Sequence, residues 1–255
     1  MDELGPAIGW SLLVGGSLLV GAVVAALVQL PERVAATLTA FGGGVLFAAV
    51  ALELVPDADA EAGAGLTALG LLAGMAVYVG ADAWLSRDDE ISGVRRSGHA
   101  AASGRPVEGP SGGAEATRGE SIAAGLFVDG VPESIALGLT IAEGKIGIAL
   151  LVGIVVGNVV EAYGAAQPIV AAGRTKRFAI ELLGAIGLTL AFATVLGATV
   201  LAEASPELIG TAQAIAAGAV LAVVSIAIIP HAFEAVSRLA AAATVLGFVG
   251  GYLLS

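Results

Sequence analysis

Cysteine is absent from all 255 residues, so neither a disulfide nor a thiolate metal site belongs to this protein. Cations are scarce too: 11 Lys and Arg stand against 22 Asp and Glu, a net charge of -11, with no basic patch to grip nucleic acid. Nucleic-acid binding is therefore set aside. Histidine occurs only twice and no H-E-x-x-H pair exists, which removes the intramembrane metalloprotease and leaves no sign of an enzyme. Charged residues of both signs reach only 13%, whereas apolar residues reach 57% and mean hydropathy is +0.95. A soluble domain is excluded; the chain reads as an integral membrane protein whose first partner is the lipid bilayer.

Apolar runs of about 20 residues, the length that crosses a bilayer, predict eight transmembrane helices. They cover roughly 6–30, 34–56, 64–85, 120–142, 146–172, 178–202, 208–234 and 238–254. The N-terminal MDEL lacks the basic flank of a cleaved signal peptide, so the first run reads as a span. Basic residues set the orientation. Arg33, Arg87, Arg95, Arg96, Arg105, Arg118, Arg174, Lys176, Arg177 and Arg238 all fall in odd-numbered connections, and Lys145 alone falls in an even one. Both termini are expected outside, in the multi-pass arrangement of a plasma-membrane protein. The segment 86–119, rich in Gly, Ser, Ala and Pro, reads as a flexible cytoplasmic loop in which His99 is simply solvated.

An internal repeat accompanies these spans. LVPDADA around Pro56 resembles IIPHAFE around Pro230, and Gly44 and Gly218 each precede their proline by twelve residues. Pro31-Glu32 parallels Pro206-Glu207, and TALGLLAGM from Thr67 resembles TVLGFVGGY from Thr244. Spans one to three and six to eight thus read as two copies in opposite orientation around spans four and five. The expected fold is an all-α membrane bundle with a 3+2+3 inverted repeat, a design suited to alternating access.

Spans four and five carry acids that a bilayer tolerates only for a reason. The fourth reads GLFVDGVPESIALG with Asp129, Pro132 and Glu133; the fifth reads VGIVVGNVVEAYGAAQ with Asn158 and Glu161. Asp129 and Glu133 are four apart, and Asn158 and Glu161 three apart, so each pair shares a helix face. Pro132 has no N–H and leaves the Val128 carbonyl without its helical partner. Carboxylates, an amide and a carbonyl suit a divalent cation. The bland alternative is a protonated, hydrogen-bonded carboxyl at Asp129, Glu133 or Glu161, and Asn158 can equally bridge helices.

Further acids lie towards the outer side. Glu53 and Asp57, close to Asp59 and Glu61, read as an electronegative way in for cations, with a solvated acidic loop as the plain reading of the last two. Towards the inner side, His231 and Glu234 are three apart on span seven. Asp82 and Glu181 are expected to pair with neighbouring arginines.

At these residues the chain resembles the ZIP family of divalent metal transporters. The family's fourth-span motif, His-Asn-x-Pro-Glu-Gly, is similar to Asp129-Gly130-Val131-Pro132-Glu133-Ser134; its fifth-span motif is similar to Gly157-Asn158-Val159-Val160-Glu161-Ala162. The resemblance implies eight spans, both ends outside, a long loop after span three and a metal site between spans four and five. It also implies an exit relay at His231 and Glu234. Asp129 replaces a histidine, Gly130 an asparagine, Gly157 a polar residue and Val160 a proline. An all-oxygen set of Asp129, Glu133, Asn158 and Glu161 should favour harder ions than zinc, such as Mn(II), Fe(II) or Mg(II).

The expectation is a secondary transporter moving a divalent metal cation of the zinc, iron or manganese class into the cytoplasm. The ion is cargo, and no cofactor is implied. A homodimer through the Gly-rich faces fits the composition. The competing reading is a degenerate, non-transporting relative acting as a metal sensor or structural partner.

Overall fold

The computed structural model describes residues 4–85, 115–144, 147–171, 174–200 and 204–255. Residues 86–114, most of the segment expected from sequence to be a flexible loop and including His99, lie outside the described residues, as does Lys145. What is described is all helical: α1 (Leu4–Leu27), α2 (Glu32–Ala49), α3 (Val55–Leu85), α4 (Glu115–Ala142), α5 (Ile148–Ala171), α6 (Lys176–Val200), α7 (Pro206–Val223), α8 (Ile229–Val236) and α9 (Arg238–Leu254). Five helical stretches among these residues are long and apolar enough to cross a bilayer. Their outward faces agree: Leu188 and Phe192, one turn apart on α6, are 68% and 66% exposed, and Leu69, Leu72, Val245 and Leu246 are comparably bare. Water would penalise so much apolar surface, and lipid would not.

Two short π-helical segments interrupt the α-helices. The first, Val50–Leu54, joins α2 to α3; the second, Val224–Ile228, joins α7 to α8. In each the closing bond reaches five residues back, from Val55 N–H to the Val50 carbonyl and from Ile229 N–H to the Val224 carbonyl. Pro56 and Pro230 follow immediately. A proline ring clashes with the carbonyl four residues before it and offers no N–H, so one widened turn lets the chain pass without breaking. As a result the acids Asp57, Asp59 and Glu61, which read as a loop in sequence, sit on the first turns of α3. The direction changes only at Gly63, whose φ of 79° suits a residue without a Cβ. The corresponding break after α8 falls on Ser237, at φ 49°.

The helices pack as a bundle in which α1 meets α5 and α6, α4 meets α6 and α7, α2 meets α5 and α9, and α3 meets α7. Small residues permit the closest crossings. Gly44 abuts the Thr244 carbonyl and Gly218 the Leu71 carbonyl, while Gly74 faces the Ile215 carbonyl and Gly247 that of Phe41. One apolar core, with Leu18, Ala162, Ala166, Ile169, Leu183 and Leu190, is drawn from α1, α4, α5 and α6. A larger one, with Leu46, Leu54, Leu137, Leu150, Ile154 and Val220, links α2, α4, α5 and α7. The polar residues of α4 and α5 therefore lie where both halves of the bundle meet.

Candidate functional site

Helix α4 carries Glu133 inward at 5% exposure, beside Ser134, which is fully buried. Pro132 stands inside the same helix. Asp129 belongs to α4 as well, but its side chain is outside the described ones. Gly130, where the family motif has an asparagine, packs so tightly that a Cβ would stand 2.5 Å from Leu190 Cδ1 of α6.

On α5, Asn158 is 2% exposed and its amide Nδ2 donates to the Val14 carbonyl of α1 at 3.3 Å. Ser17 Oγ donates to the same carbonyl at 2.6 Å. Of the two roles open to Asn158 in sequence, the helix bridge is present; its Oδ1 stays available as a ligand. Glu161, one turn later, is half-buried. Gly157 has no atom within 4 Å of where a Cβ would stand. Helices α4 and α5 touch one another. Among the described residues, however, no three Asp, Glu or His side chains gather closely enough to hold a metal ion.

Glu53 sits in the first π-helical segment, half-buried. Its Oε1 accepts from Ala149 N–H and its Oε2 from Leu150 N–H, both at 3.4 Å, so the carboxylate caps the N-terminus of α5. An anion is favoured there by the unpaired amides and the helix dipole. This link from the first π-helical segment to the start of α5 spans 96 residues of sequence and left no trace in it. Asp57 follows, half-buried at the start of α3.

At the other proline, His231 Nδ1 lies 2.6 Å from the Ala227 carbonyl, the imidazole closing a bond over the last turn of the second π-helical segment. Glu234 is exposed on α8 and Asp82 half-buried on α3. Glu181 pairs with Arg177 at 2.7 Å, the surface ion pair expected of it. Sequence reading passed over Gln213 of α7, which is fully buried with neither amide atom hydrogen-bonded among the described residues. Its only signal was polarity amid a run of Ala and Ile.

No family model matches this chain. No curated protein is similar enough to count as a relative either. Function has to be argued from the geometry itself.

Proposed function

We propose that this protein is an eight-span secondary transporter that moves a divalent metal cation into the cytoplasm by alternating access, in the manner of the ZIP transporters it resembles. The observation that carries the reading is the burial of Glu133 and Asn158, with Glu161 one turn beyond Asn158, on two touching helices of a bundle whose buried side chains are mostly apolar. Acidic side chains within lipid-exposed helices are costly and mark ion pathways. Carboxylate and amide oxygens on two adjacent helices suit a divalent cation. Asp129 lies one turn before Glu133 on α4 and would bring a third carboxylate to the set, the second from that helix.

Alternating access needs two alternative arrangements of one bundle, and an inverted repeat provides them. Several correspondences support one. Helix α2 with its π-helical segment runs from 32 to 54, and α7 with its own from 206 to 228, a constant separation of 174 residues. Gly63 and Ser237, the two breaks, keep the same separation. Contacts also pair off, since α2 meets α9 as α7 meets α3, and α1 meets α5 as α6 meets α4. The glycine contacts equate Gly74 with Gly247, 173 residues apart, one helical turn from the 177 that aligns Thr67 with Thr244. The stretch from Glu32 to Ala83 holds 52 residues, enough for two spans about Gly63. At ~1.5 Å per residue a stretch of that length is about two and a half times the hydrocarbon thickness.

In this scheme a cation approaches Glu53 and Asp57, is held by Asp129, Glu133, Asn158 and Glu161, and leaves past His231 and Glu234. Oxygen ligands favour Mn(II), Fe(II) or Mg(II) over zinc. The absence of three gathered acids among the described residues favours a second reading, a metal sensor or structural partner of the same build. Uptake of Mn(II), Fe(II), Zn(II) and Cd(II) into proteoliposomes separates them. Transport of at least one metal, lost in both Glu133→Ala and Glu161→Ala, is the expected result. Folded, correctly oriented protein that takes up none of them overturns the transporter reading. Because native cysteine is absent, labelling of single cysteines along α4 and α5 from each side reports alternating access directly.

A further inference from the structure

Away from the acids, a cavity of about 440 Å³ opens between the end of α1, the end of α5 and the start of α6. Its size is within the ~300–1,000 Å³ of small-molecule sites. Three apolar stretches end at its wall, Ile8–Leu27, Ile148–Gln167 and Lys176–Val200, so it lies where the apolar part of the bundle meets water. Ala22, Ala166, Val170 and Ala179 make its apolar side; Gln167 and Lys176 are its polar side chains together with Gln29. Among the described residues no carboxylate lines it.

The rim is built rather than incidental. Tyr163 Oη accepts from Leu30 N–H at 2.6 Å and from Gln167 Nε2 at 3.2 Å, tying the chain that leaves α1 to α5. Lys176 Nζ donates to the Ala26 carbonyl at 2.5 Å, which holds the ammonium at the cavity and leaves two of its three donors for something else. Lys176 is also the first residue of α6, where the helix dipole adds positive potential. Neighbouring cations are engaged elsewhere: Arg177 pairs with Glu181 at 2.7 Å, and the Arg174 guanidinium lies 4.8 Å from the centre of the Phe178 ring.

A positive, acid-free mouth is the wrong exit for a divalent cation. An apolar wall is the wrong lining for a small hydrated anion. We propose that this cavity binds one anionic phospholipid, its phosphate on Lys176 and Gln167 and its acyl chain along Ala22, Ala166, Val170 and Ala179. Basic pockets at the ends of membrane helices recognise such headgroups by charge, and apolar contact adds to the hold. The site is independent of metal transport.

Native mass spectrometry of the full-length protein, titrated in detergent with phosphatidylglycerol or phosphatidylcholine, tests this. One phosphatidylglycerol should be retained in preference to phosphatidylcholine. Lys176→Gln should weaken it roughly fivefold, about what one basic residue contributes beside an anionic headgroup. Val170→Trp, which fills the apolar side and spares Lys176, should weaken it too, so the proposal stays testable if one variant fails to fold. Arg177→Gln should leave it unchanged. Equal retention of both lipids, or equal weakening by Arg177→Gln and Lys176→Gln, overturns the proposal in favour of general surface charge. Displacement by millimolar inorganic phosphate overturns it in favour of a site for a free anion.

Discussion

Gly15 of α1 and Gly187 of α6 meet backbone to backbone: a Cβ on Gly15 would stand 2.5 Å from the Gly187 carbonyl oxygen, and one on Gly187 would strike the Gly15 carbonyl in return. Contacts of this reciprocal kind arise where two helices cross with glycine on both sides of the crossing point. With no hydrophobic drive between helices in lipid, such close approach is a main source of attraction.

Adjacent glycines should therefore behave oppositely. Gly15→Ala forces the two helices apart and should destabilise by about 1–3 kcal/mol, the cost of overpacking. Gly16 has nothing within 4 Å of its Cβ position. Gly16→Ala should be neutral or stabilise by up to ~1 kcal/mol, since it removes only helix-opposing backbone freedom. Thermal unfolding of the two variants in one detergent checks the sign of each. Equal destabilisation would mean that α1 and α6 do not cross here.

Glu53 has two roles that substitution can separate. As a cap on α5 it accepts from Ala149 and Leu150 at 3.4 Å, long bonds that place its worth near the lower end of the ~0.5–2 kcal/mol range for caps. Glu53→Gln keeps one acceptor and should lose less stability than Glu53→Ala. If the carboxylate also receives the incoming cation, both variants should lower uptake alike, most at low metal concentration. Uptake that tracks stability alone would leave Glu53 as a cap only.

Gln213 offers a test of the opposite sign. A buried amide with no partner among the described residues carries its desolvation cost uncompensated, about 1–3 kcal/mol. Gln213→Leu, close in volume, should raise the unfolding temperature. Should it instead lower stability or abolish uptake, the amide has a polar ligand in the working protein, and α7 joins the transport path.

The all-helical, apolar character was legible because a bilayer makes it visible as apolar runs of fixed length, five of which the described residues carry as helices long enough to cross. The helical nature of residues 57–61 was hidden, since Asp57, Asp59 and Glu61 among small residues have a loop's composition and only the turn widened before Pro56 carries the helix through. Glycines recur at helical spacing in both α3 and α9, so alignments of the two stretches that differ by one helical turn look alike in sequence. The cap by Glu53 and the bridge from Asn158 to Val14 end on backbone atoms. Every residue has those atoms, so no side-chain pattern announces them.

Asn158 joins the candidate metal set to the bundle's frame, and its two capacities have different signatures. As a bridge, its bond to the Val14 carbonyl is worth on average about 0.6 kcal/mol and at most ~1.7 kcal/mol between membrane helices, so Asn158→Ala should cost stability in that range. As a ligand, its Oδ1 contributes a neutral oxygen, so Asn158→Asp adds a charge at the ion while giving up the donor to Val14. That variant should bind divalent metal more tightly and release it more slowly, lowering turnover, while also losing the bridge. Metal affinity by titration and turnover by uptake, measured on both variants, distinguish the cases. Loss of stability in both with unchanged affinity in Asn158→Asp would assign Asn158 to the bridge, leaving the ion to carboxylates alone.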